Sequence, residues 1–67
     1  MEKILGGFVS PDGRWRVLAV RDGDRAWYRI LRDGRTFADG LMRGEAERVL
    51  RQDAGLHLAD LTEETGG

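Results

Sequence analysis

Ala26-Trp-Tyr-Arg-Ile-Leu-Arg-Asp-Gly-Arg-Thr-Phe-Ala-Asp-Gly-Leu-Met42 is the stretch that decides how this chain folds. It places Asp33-Gly34 between two runs of strand-forming residues, the strongest short-range signal for a β-hairpin. A type I′ turn needs positive φ at both central residues. Gly supplies that without steric cost, and Asp tolerates it better than most residues. A two-residue loop makes Arg32 face Arg35 and sets the register outward from there. Ile30 is then expected opposite Phe37, Tyr28 opposite Asp39 and Ala26 opposite Leu41 on one face. Leu31 with Thr36, Arg29 with Ala38 and Trp27 with Gly40 fall on the other. A slip of one residue would exchange the two faces.

Outward from the hairpin, turn signals recur at short intervals. Lys3–Val9 (KILGGFV) reads as a strand that Gly6 and Gly7 weaken, leaving room for a bulge or a close approach by another backbone. Ser10-Pro11-Asp12-Gly13 is a turn by residue chemistry: Pro presets φ, Asp suits the third position and Gly accepts the left-handed fourth. RWRVLAVR (14–21) is the next strand, and Asp22-Gly23-Asp24 leads it into the hairpin. After Gly44 the apolar period changes: Ala46, Val49, Leu50 and Ala54 recur at helical spacing. Glu45 lies in the first turn of that helix, and Gly55 is placed as its C′ residue. The expected class is α+β: a four-stranded antiparallel β-meander (about 4–9, 14–21, 26–32 and 35–41), one C-terminal α-helix (about 44–54) and a short tail. Leu56, Leu58 and Leu61 could form a strand, a helical turn or an extended segment on the core, and residues 62–67 are expected to fray.

The 67 residues make one small domain, near the lower size limit for an independent core. Cys is absent, which removes disulfides, thiolate metal sites and a thiol nucleophile. No run approaches the roughly 18 apolar residues of a membrane span, and Gly6-Gly7 interrupts any signal-peptide core, so a cytoplasmic setting without membrane attachment is expected. Ten of the eleven Lys and Arg residues are Arg, which suggests a high-GC bacterial or phage genome. The net charge of −1 conceals a division: residues 14–35 hold seven Arg against three Asp, and residues 39–64 hold three Arg against seven acids. Such a split can mark a binding surface. It can equally reflect a basic sheet balanced by an acidic helix within the same molecule.

The catalytic inventory is thin. Ser10 is the only Ser and opens a turn; His57, the only His, lies between two Leu. Asp22-Gly-Asp24 begins like a calcium loop but lacks the rest of that pattern. Gly6-Gly7 leads into a strand rather than a helix and so cannot cradle a phosphate. No enzyme, cofactor or metal is expected.

The informative feature is the two-sided apolar character of the sheet. One face collects Trp15, Val17, Ala19, Tyr28, Ile30, Phe37 and Leu41; a three-residue first loop closed by Ser10 and Arg14 would add Leu5 and Val9. The other collects Ile4, Phe8, Leu18, Val20, Trp27 and Leu31, interleaved with Arg14, Arg16 and Arg29. A single helix covers only one face of a sheet. The second face (Phe8, Arg14, Arg16, Leu18, Val20, Trp27, Arg29 and Leu31) is therefore the candidate partner surface. Three arrangements satisfy it: a homodimer across a two-fold axis, the chain's own Leu56, Leu58 and Leu61 folded back over it, or a different protein partner. The favoured reading is a small non-enzymatic interaction or regulatory module that self-associates through this face.

The alternative is nucleic-acid binding through an Arg14/Arg16/Arg29 strip with Trp27. Gly13–Val17 (GRWRV) and Gly44–Leu50 (GEAERVL) loosely resemble the three-stranded sheet and helix of AP2-like domains and of the arm-binding domains of tyrosine recombinases, which read DNA. The resemblance spans about half the chain. It departs at the fourth strand, where those domains go directly to the helix, so no residue role carries over. A net charge of −1 also runs against the basic balance typical of nucleic-acid domains.

Overall fold

The computed structural model describes residues 1–64 of the chain. Strands β1 (Lys3–Val9), β2 (Trp15–Asp22), β3 (Arg25–Arg32) and β4 (Arg35–Leu41) form the expected antiparallel meander. Helix α1 (Arg43–Val49) follows, with a π-helical turn at Leu50–Ala54, a 3₁₀ turn at Leu58–Asp60 and a short strand β5 (Thr62–Glu64). β5 pairs antiparallel with β1, so the sheet has five strands in the order β4-β3-β2-β1-β5. Residues 62–64 are thus held in the sheet rather than frayed. The rest of that expectation, 65–67, lies outside the described residues. No helix among the described residues is long and apolar enough to cross a membrane.

The Asp33-Gly34 turn has the expected conformation, with φ of 51° and 81°. Arg32–Arg35 and Leu31–Thr36 pair as read from the sequence. Beyond them the register shifts twice: Ile30 pairs with Ala38 instead of Phe37, and Tyr28 with Leu41 instead of Asp39. Each shift inserts one extra residue in β4. The second leaves Asp39 and Gly40 opposite Arg29, with Gly40 at φ 66°. A positive-φ Gly beside an unpaired neighbour is the geometry of a bulge that bends the strand and re-aims a side chain. Phe37, expected in the core beside Ile30, is 43% exposed and touches Trp15 edge-on at 5.1 Å.

The first turn also differs from the reading. The Trp15 N–H donates to the Ser10 hydroxyl oxygen at 3.0 Å and the Ser10 N–H to the Trp15 carbonyl at 2.9 Å. The loop is therefore Pro11–Arg14, one residue longer than a closure by Ser10 and Arg14. That extra residue sets Phe8 opposite Val17 and Val9 opposite Arg16. A bulge between Ile4 and Gly6 then absorbs the offset, so Ile4 pairs with Val20. The Gly pair supplies both properties anticipated for it. The chain bulges beside Gly6, and an added Cβ at Gly7 would lie 2.8 Å from the Val17 carbonyl oxygen.

The main core cluster lies on one side of the sheet, and Val20 is buried on the other. Trp15, Val17 and Ile30 of the sheet pack with Ala46 and Leu50 of the helical segment and with Leu61. Phe8, Tyr28, Leu41, Val49, Ala54, Leu56 and Leu58 surround that cluster. The helical face read from the sequence is the one buried. No Ser or Thr caps the helix; instead the Glu45 carboxylate reaches back to accept the Met42 N–H at 2.9 Å. At the other end Gly55 is left-handed (φ 67°), and the Leu50 carbonyl accepts the Gly55 and Leu56 N–H groups. This sharp stop turns Leu56, Leu58 and Leu61 back onto the core side.

Candidate interaction surface

With helix and tail on one side, the sheet's second face carries three cross-strand rows. The first runs Thr62, Val9, Arg16, Leu31, Thr36. The second runs Glu64, Gly7, Leu18, Arg29, with the Asp39-Gly40 bulge beyond it. The third is Ile4, Val20, Trp27. Arg16, Leu18, Val20, Trp27, Arg29 and Leu31 therefore share this face, as expected. Two residues of the candidate surface do not. Phe8 packs on the core side, because the longer first loop inverts its part of β1. Arg14 precedes β2 and pairs at the hairpin end with Asp33, Nε to Oδ1 at 3.3 Å. Val20 lies on the face but is fully buried between its row neighbours.

Arg29 occupies the middle of the face, its side chain only 18% exposed. Its Nη2 donates to both carboxylate oxygens of Glu2 (3.0 and 3.1 Å) and lies 3.0 Å from Asp39 Oδ2. Asp39 in turn accepts the Trp27 indole N–H at 2.9 Å and the Gly40 N–H at 2.8 Å through Oδ1. The Arg29 guanidinium, then Gly40 and Trp27, hold the Asp39 carboxyl below its usual range. Asp39, then Glu2, hold Arg29 more firmly charged. The Arg29 Nε–H is buried without a hydrogen-bond partner among the described residues. Arg16 is bound by Glu64 of β5. The strip arginines are thus matched by acids of the N-terminus, the β3–β4 turn, the β4 bulge and β5. The helix acid Glu47 pairs instead with Arg43, one turn before it.

Sequence reasoning missed Asp39 and Glu2. The straight register put Asp39 on the opposite face, and the signal that could have corrected it is the second Asp-Gly, at 39–40. In the first turn, hydrogen bonds from the Ser10 hydroxyl and the Arg14 N–H hold Asp12 below its ordinary range. Ser10 is buried there as a structural bridge. His57 is exposed, and its backbone N–H donates to the Asp60 carboxylate at 2.9 Å, which caps the 3₁₀ turn. A cleft of about 520 Å³ between helix and 3₁₀ turn brings His57 near Glu47 and Arg51. No group of three or more His, Asp or Glu side chains with metal-binding geometry occurs among the described residues. No family model matches this chain, and no curated protein sequence or solved structure matches it significantly.

Proposed function

We propose that the chain is a small non-enzymatic interaction module that associates with a second copy of itself through the open sheet face. The observation that carries this reading is the one-sided packing. Helix, 3₁₀ turn and all three tail leucines pack on the core side, while Leu18, Trp27 and Leu31 stand half-buried on a face that no other element covers among the described residues. Sheet and helical segment already make two packed layers, and a second copy on the open face adds a third at no cost in new sequence.

Size sets the expected strength. Four strands spaced about 4.8 Å apart and about seven residues long at about 3.3 Å each, with the three-residue β5 beside them, give a footprint of roughly 490 Å² per copy. The pair would bury about 1,000 Å², in the range of weak or transient interfaces, so association in the micromolar range or weaker is expected. Nucleic-acid binding is the less supported reading, because Arg14, Arg16 and Arg29 are each ion-paired within the molecule. Sedimentation velocity between about 10 and 500 μM should show a concentration-dependent rise toward the dimer mass, a range set by that footprint. A monomer mass throughout overturns the reading. A monomer that binds duplex DNA or RNA at about 50 mM salt, and releases it as salt rises, would favour the alternative.

A further inference from the structure

Most of the exposed large apolar side chains are gathered at one end of the sheet, with Phe37 the exception at the Asp33-Gly34 end. Ile4 and Leu5 are 51% and 57% exposed, and Met42 is 65% exposed. All three sit at the end that carries the Asp22–Arg25 turn, where β1 begins, β3 begins and β4 ends. Two clefts meet there. One, of about 170 Å³, is lined by Leu5, Tyr28, Leu41 and Met42 towards the helix side and by Val20 and Trp27 of the second face. The other, of about 770 Å³, shares Trp27 and Met42 and is rimmed by Asp24 and Arg25. The Asp39 carboxylate fixes the nitrogen edge of the Trp27 indole beside both. Trp is a preferred anchor at interfaces, and Met adapts its shape to what it meets.

The rim identifies the occupant. Asp24 and Arg25 are adjacent, exposed and opposite in charge, and neither has an ion partner among the described residues. A two-fold axis brings residue i of one copy to residue j of the other, and j to i. An adjacent acid and base beside an apolar patch therefore satisfies itself: Asp24 of each copy meets Arg25 of the other. An unrelated partner would have to reproduce both charges in that order, whereas a second copy carries them already.

We propose that the self-association, which rests on the reading in the preceding subsection, is seated at this end of the sheet. Trp27 and Met42 are its apolar anchors, and two crossed Asp24–Arg25 pairs form its rim. Gly23, at φ 60°, carries the positive φ of the turn, so both charged positions accept substitution without backbone strain.

The test is a charge exchange read by sedimentation, with circular dichroism confirming that each variant is folded. Asp24→Arg alone and Arg25→Asp alone each set like charges opposite each other, and each should weaken homodimerisation about five- to tenfold. Mixing the two variants should restore a dimer, now of unlike chains, with near-parent affinity. Met42→Asp should weaken association at least about tenfold by placing a charge at an anchor. If the parent self-associates and none of these changes moves its affinity, this seat is wrong and the dimer forms elsewhere on the face. If the parent stays monomeric at every concentration, the seat and the self-association reading fail together.

Discussion

Gly6 and Gly7 are neighbours in sequence, yet Ala should act oppositely at the two. At Gly7 a Cβ would lie 2.8 Å from the Val17 carbonyl oxygen and 3.0 Å from Leu18 Cδ2. The oxygen belongs to the backbone of a central strand and cannot turn aside. Relieving the contact means prising β1 from β2, and overpacking of this kind costs about 1–3 kcal/mol. Ala recovers about 0.5–1 kcal/mol by restricting the unfolded chain. The net loss is about 1–2 kcal/mol, which for a domain of this size lowers Tm by about 5–15 °C. At Gly6 the nearest atom to an added Cβ is the Glu64 carbonyl oxygen at 3.7 Å, an ordinary contact. Gly6 does not have positive φ, so Gly6→Ala keeps the entropic gain and should match or exceed the parent. Thermal and urea unfolding followed by circular dichroism measure both. Equal shifts for the two variants, or a Gly7→Ala protein as stable as the parent, would refute the close approach of β1 to β2.

Ile30→Ala should cost about 2–5 kcal/mol, a large part of a small domain's margin, whereas Phe37→Ala at its exposed site should cost about 1 kcal/mol; equal losses in urea titrations would contradict the bulge that moves Phe37 aside. Gly34→Val should lower stability by about 2 kcal/mol through forced positive φ, and an unchanged denaturation midpoint would mean the turn has another shape. Met42→Asp should raise the melting temperature of the monomer while weakening self-association, because a carboxylate at the N-cap completes the capping box that Glu45 already half supplies. The lowered pKa of Asp39 means stability that is present above the unfolded value near 4 and lost as pH falls through the folded one. Asp39→Asn should therefore flatten the acid limb of a Tm-against-pH curve, and an acid limb identical to the parent's would rule that out.

The legible parts of this fold were those set by local chemistry. Asp33-Gly34 accepts a conformation few dipeptides do, and Ala46, Val49, Leu50 and Ala54 lie at helical spacing, so hairpin and helix could be placed from residues alone. The hidden parts were single-residue offsets. Ser-Pro-Asp-Gly fits a three- or a four-residue loop equally well. The choice rests on the Ser10 hydroxyl meeting the Trp15 N–H, a contact five residues apart. That choice moved Phe8 from the candidate surface to the core. The β4 bulges likewise put Asp39 on the open face and took Phe37 out of the core. β5 was invisible because Thr-Glu-Glu has no apolar rhythm and is ordered by the β1 edge it joins. The second face remained recognisable because β2 and β3 pair without interruption from Trp15–Arg32 to Asp22–Arg25.

The two irregularities in β4 also govern how the molecule fails under stress. A growing fibril needs a flat, regular border on which the next chain can template its own backbone. Here one border is broken at Phe37 and again at Asp39-Gly40, and the other, among the described residues, is the three-residue β5 beside Gly7–Val9 followed by the start of β1, which bulges between Ile4 and Gly6. Neither offers a run long enough to seed polymerisation, so concentrated solutions should form small closed assemblies in preference to cross-β deposits.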